Sequence, residues 1–337
     1  MKTRCLLRVG GCLLAALVSG SVGCSLAKPP EPIRFPPAPA RTRLIYLGRL
    51  DEAPIDAPQR GRLARWLFQT PTFLQTPLER PFGMAARGHR LFVCDTGASA
   101  VVIFDYDAEQ ASYIDGLSKP VDIAIDEAGR GYVAEAGTGR IRVFDRALRQ
   151  LRIIDPPAVG ARPAALAIGG GILYVADVGG RAVERYDLRA ARWLAPLASR
   201  ETSGFPSGLC FQEGHLWLAD ARDGRLAYTE PSPQQWHTVS RAGELHRPKH
   251  LAADDAGRIL IADAAARRLQ IRDATGQILM EVDDPDILTL PSGVCLSRDL
   301  LRYYAKYVPK GVQPSAVVFV SNQVGPPGIG VFAYAPD

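Results

Sequence analysis

From residue 81 onward the apolar and polar positions alternate in short runs, and no stretch holds a 3.6-residue apolar period for ten residues, so the pattern predicts strands. Five of these runs end in an acid: Leu91 to Asp95, Gly131 to Glu135, Leu173 to Asp177, Leu216 to Asp220 and Ile259 to Asp263. Each leads into a Gly- or Ala-rich turn and a third run, such as Val101 to Asp105 or Ile141 to Asp145. A short fourth run follows, as in Ala111 to Ile114 and Leu151 to Ile154.

Prolines set the period. Pro81, Pro120, Pro163, Pro206, Pro248 and Pro291 are separated by 39, 43, 43, 42 and 43 residues, and after each the chain reaches an apolar residue followed by Ala or Cys. Four short strands in about 40–45 residues are the signature of a propeller blade. The predicted fold is therefore all-β: a six-bladed β-propeller with four-stranded blades.

The sixth repeat departs from the others. Its second run, Ala316 to Ser321, lies beyond an insertion from Ser297 to Pro314, and after Ile329 to Tyr334 the sequence stops at Asp337, one strand short. The lone run Arg43 to Leu50 supplies that strand on this reading, closing the ring at its last blade and leaving no open edge. The organisation expected is a signal over 1–24, a Pro-rich tether over 25–42 and a propeller over 43–337, with a closing strand over 43–50, a connecting segment over 51–80 and repeats over 81–337. Within the connecting segment, Gly61 to Phe68 is expected to form one or two helical turns, either packed over a mouth of the ring or offered to a partner.

Lys2, Arg4 and Arg8 precede an apolar stretch from Val9 to Val18 that is too short to span a bilayer, the layout of an export signal. Ser21-Val-Gly-Cys24 resembles a bacterial lipobox with Cys24 as the lipidated residue, although Ser21 stands where Leu is usual; cleavage after Ala27 and a soluble periplasmic product is the alternative. Ser25 in place of Asp fits outer-membrane sorting. Three of the net +5 charges leave with the signal, so no basic nucleic-acid surface is indicated. Cys94, Cys210 and Cys295 then remain, the last two in a slot that is Ala in the other repeats, and no haem-attachment motif occurs.

Candidate chemistry is sparse. An acid and an arginine recur five apart, Glu135 with Arg140, Asp220 with Arg225 and Asp263 with Arg268, a spacing that lets carboxylate and guanidinium meet across a turn as a structural pair; a ring of ligand-binding groups is the other reading. The insertion carries Arg302, Tyr303, Tyr304, Lys306, Tyr307 and Lys310, residue types that serve interfaces well, although the tyrosines could equally pack the bottom of the blade. His250 could face the central channel, and Asp283 to Asp286 is a weak calcium motif or a solvated turn. No nucleophile elbow, zinc-protease, phosphate-loop or EF-hand motif appears, so no catalytic residue, metal ligand or cofactor is assigned.

The repeat resembles the NHL repeat, carried best by Leu173-Tyr-Val-Ala-Asp177 and Ile141-Arg-Val-Phe-Asp145. With the lipobox, the Pro-rich lead, Arg43 to Gly48, Ala305-Lys-Tyr-Val-Pro309 and Val318 to Gln323, the chain looks like bacterial envelope NHL lipoproteins, some found alongside multihaem cytochromes. That resemblance implies a monomeric docking or assembly platform with a protein partner, a multihaem cytochrome among the candidates. The alternative is a lactonase-like propeller hydrolase or lyase with a metal at the channel mouth, for which Asp122 and His250 make an incomplete ligand set.

Overall fold

The computed structural model describes residues 33–36, 43–50, 77–198, 204–231, 234–324 and 328–336. Cys24, the export signal, the turns expected over 61–68, and most of the tether and connecting segment lie outside the described residues. No helix among the described residues is long and apolar enough to cross a membrane.

Six antiparallel sheets form the propeller. Blade one is built from Pro81–Arg87, Arg90–Asp95, Ala100–Asp105 and Gln110–Ile114, and blades two to five repeat this order from Pro120, Pro163, Pro206 and Pro248. Neighbouring inner strands pack in sequence around the ring, and the inner strand of blade six, Pro291–Ser297, lies against that of blade one.

Every inner strand opens with its proline opposite the residue that ends the second strand, the pairs running from Pro81 and Asp95 to Pro291 and Asn322. Proline has no N–H to give a ladder and is tolerated at a strand's first residue or beside a bulge. Both conditions hold, because the register shifts immediately after each of the six prolines.

Leu44–Arg49 closes blade six by pairing antiparallel with Gly328–Tyr334. Period-two alternation explains its fit. Ile45 and Leu47 enter the core shared with blade one, while Leu44 and Tyr46 enter the core shared with blade five. Leu50 N–H to Ile329 O and Ala335 N–H to Arg43 O, at 2.9 and 2.8 Å, fasten the two ends of the clasp. A correction to the expected tether follows, since Arg34–Phe35 pairs with Leu44–Arg49 as a fifth strand of this sheet and Phe35 packs toward Phe332.

The core lies between blades. Each of the six blade junctions has its own apolar cluster, as expected for stacked units that cannot bury both faces alone.

Candidate functional site

The bulge after each proline turns the residue two positions on toward the axis of the ring. In blades one to six these residues are Gly83, Asp122, Ala165, Gly208, His250 and Gly293. Three are glycines, and at two of them there is no room for a side chain. A Cβ on Gly83 would fall 2.1 Å from Asp122 Oδ1, and one on Gly293 would fall 2.1 Å from Phe82 O.

The two large members occupy opposite blades and meet. His250 Nε2 lies 3.1 Å from Asp122 Oδ1, with the residues 6% and 1% exposed. Asp122 also accepts the N–H of Ile123 at 2.9 Å and, through Oδ2, that of Leu166 in blade three at 2.7 Å. The Val294 N–H of blade six points to His250 Nδ1 at 3.5 Å. Burial alone would push the imidazole pKa down, but the Asp122 carboxylate, together with main-chain contacts at Val294 and Leu251, offsets it and holds the His250 pKa above its ordinary value. At the adjoining rim Lys249 Nζ stands 5.9 Å over the Phe82 ring, and burial holds its pKa below normal.

This arrangement ties four blades together across the axis. It also commits both axial ligand candidates to each other. Among the described residues no group of three or more His, Cys, Asp or Glu side chains could hold a metal ion. The Asp283 to Asp286 segment is a turn in which Asp284 Oδ1 accepts the Asp286 N–H at 2.9 Å. Cys94, Cys210 and Cys295 are free thiols, and burial pushes that of Cys295 up to about 12, away from the reactive thiolate.

The acids that end the second strands have a different role from the one expected. Asp95 accepts the N–H groups of Glu79 and Arg80 at 2.7 and 2.9 Å, and those of Gly97 and Ala98 at 3.0 and 3.1 Å. Asp220 does the same for Gly204, Phe205, Arg222 and Asp223, and Asp263 for His246 and Arg247. These carboxylates cap the loop entering each inner strand. Two expected ion pairs are corrected accordingly. Glu135 turns inward to Ser118 N–H, Thr138 Oγ1 and Arg142, leaving Arg140 to reach Asp155 at 2.9 Å; Arg225 pairs with Asp223 at 2.6 Å. Asp263 and Arg268 do approach, at 3.4 Å, although Arg268 lies closer to Glu281, at 2.9 Å.

The blade-six insertion contains a short helix, Leu301–Tyr304, and a tighter turn, Ala305–Tyr307. Its residues divide by face. Tyr304 is buried against Phe319, and its hydroxyl meets that of Tyr106 in blade one at 2.7 Å, so it is withdrawn from the expected contact surface. Burial pushes the Tyr304 phenol pKa well up, keeping it neutral. Tyr303 and Tyr307 are half-buried against the same core. Tyr303 donates to Asp107 and Arg302 pairs with Asp107 at 3.1 Å, which fixes the helix to the outer hairpin of blade one. Arg302, Lys306 and Lys310 stay exposed, with Lys306 Nζ 4.9 Å over the Tyr307 ring.

Solved structures with this architecture include a streptogramin B lyase, 10% identical over 77% of this chain and 85% of that one with a TM-score of 0.58. A nidogen/laminin complex matches at 18% identity, 64% and 85% coverage and a TM-score of 0.57. A protein of unknown function from Bacteroides thetaiotaomicron VPI-5482 matches at 14% identity, 76% and 70% coverage and a TM-score of 0.61. At such identities the likeness shows the fold. The fold is a six-bladed β-propeller. The chain matches no family model and no curated protein sequence.

Proposed function

We propose that this propeller is a non-enzymatic interaction platform of the bacterial cell envelope, of the NHL-repeat lipoprotein type, anchored through Cys24, and that the blade-six insertion is its contact element. The observation that carries the reading is the two-sided insertion. Tyr304, Tyr303 and the Arg302–Asp107 pair clamp it to blade one, while Lys306 and Lys310 face solvent from a backbone already fixed in place. A pre-organised surface loses little conformational entropy on binding, and a basic cluster selects an acidic partner surface. An envelope multihaem cytochrome is one partner class consistent with the resemblance.

The competing lyase or hydrolase reading requires ligands at the channel mouth. Asp122 and His250, the axial candidates, are bonded to each other, which favours the platform. A photo-crosslinker at Ala305, exposed beside Lys306, should give one acidic adduct from envelope extracts, and Lys306→Glu with Lys310→Glu should abolish it. Adduct formation insensitive to charge reversal, or stoichiometric divalent metal in purified protein, would refute the reading.

A further inference from the structure

Four residues before each second-strand terminus lies a position that faces the preceding blade. It is Leu91, Leu173, Leu216, Ile259 and Val318 in five blades, all fully buried, but Gly131 in blade two. Gly131 has no positive φ, and a Cβ there would meet only Ile123 Cδ1, at 3.8 Å. Neither backbone conformation nor close packing calls for glycine. What the missing side chain leaves is space.

A cleft of about 810 Å³ opens at that point between blades one and two, and Gly131 lines it. Its floor is apolar, from Phe92, Ile114, Ile123, Ile125, Phe144 and Leu148. This size lies within the roughly 300–1,000 Å³ usual for small-molecule sites. The rim is charged, but most of its charges are used. Arg90 pairs with Asp105 and Asp145 with Arg149, while Asp299 accepts the Gly88 N–H at 3.0 Å. Arg87 donates to the main-chain oxygen of Glu127, a neutral acceptor, and Arg146 is exposed beside Gly129; among the described residues neither has a carboxylate partner. Glu127 is the rim's remaining carboxylate, and it is exposed.

We propose that this cleft binds a small amphiphilic carboxylate, with its apolar body filling the space above Gly131 and its carboxylate at Arg146 and Arg87. Guanidinium groups bind carboxylates with charge-assisted, often bidentate hydrogen bonds. The site is independent of the insertion's role as a docking element, although Asp299 seats the start of the insertion on the cleft wall.

Titration of the full chain with dodecanoate and with naphthoate, followed by calorimetry, tests the site and separates chain-like from ring-like bodies. Saturable binding of at least one is expected. Gly131→Leu restores the residue type of the other blades and should weaken binding at least tenfold with the thermal midpoint unchanged or raised. Arg146→Gln should weaken the carboxylate and leave dodecanol unaffected. Should Gly131→Leu disturb folding, Ile125→Phe fills the same floor. Failure of both carboxylates to bind, binding that survives the filled variant, or equal affinity for dodecanol would overturn the proposal.

Discussion

Asp122 and His250 sit in opposite blades, 128 residues apart, yet carboxylate and imidazole meet at 3.1 Å across the axis of the ring. The contact is possible only when all six blades are in place, so it couples the closure of the ring to the geometry of its centre. Removing one member of a buried pair costs about 3–5 kcal/mol, because the other is left buried without compensation. Asp122→Ala should therefore destabilise strongly in urea unfolding, and Asp122→Asn, which can still accept the Leu166 N–H, should do less.

The same pair makes stability depend on pH. A histidine whose folded pKa is raised contributes stability that is complete below its unfolded value, about 6.5, and is lost as the pH rises through the folded value. The gap in unfolding free energy between the native chain and His250→Gln should be larger near pH 5.5 than near pH 9. An equal gap at both would show that the imidazolium is not the form the site stabilises.

The capping acids yield a contrast between charge and shape. In blade six the same position is Asn322, whose Oδ1 accepts the Thr289 and Leu290 N–H groups at 3.1 and 3.3 Å, so a neutral acceptor suffices there. Asp263→Asn should cost about 1 kcal/mol or less, whereas Asp263→Ala should cost about 1–3 kcal/mol for each N–H left unsatisfied. Arg268→Ala removes only a long contact of 3.4 Å to Asp263 and leaves its main-chain hydrogen bonds in place, so it should cost less than Asp263→Ala. Thermal and urea unfolding of the three variants would rank them; a larger loss in Arg268→Ala would restore the ion-pair view.

Those acids mark where sequence reasoning succeeds and where it stops. The proline comb exposes the blades because proline's missing N–H restricts it to strand starts, and the clasp strand is legible because the sixth repeat falls one strand short while Arg43 to Leu50 is a lone run ahead of the array. The acids were as visible as the prolines, but their partners are main-chain N–H groups, which no residue type announces; arginine, five positions on, was the partner a sequence could offer. Asp122 and His250 are three blades apart, and only the ring's closure brings them together. Gly131 is the missed signal that was available, since the column of Leu, Ile and Val at its position stands out once the repeats are aligned.

Tyr304 separates the insertion's structural side from its exposed side. Tyr304→Phe removes the hydrogen bond between the two hydroxyls and should cost about 0.5–1.5 kcal/mol. Tyr304→Ala removes the ring from the blade-six core and should cost about 3–5 kcal/mol. Lys306→Glu, at an exposed site, should stay within about 0.5 kcal/mol of the native chain. If all three unfold alike, the insertion is not clamped as described.

Ring closure by the N-terminal strand is tested at Ile45, which is fully buried in the core between blades six and one. Ile45→Ala should destabilise the whole ring by about 2–5 kcal/mol, the range for a buried large-to-small change. Leu151→Ser, on the exposed face of the outer strand of blade two at 54% exposure, serves as the control and should change stability by about 0.5 kcal/mol or less. The location of the loss matters as much as its size. A clasp joins the two ends of the ring, so weakening it should raise amide exchange first at Gly328–Tyr334, its direct ladder partner, and at the blade-one strands that share its core, before blades three and four. Uniform exchange around all six blades, or a stability equal to that of Leu151→Ser, would mean that the ring holds without this strand.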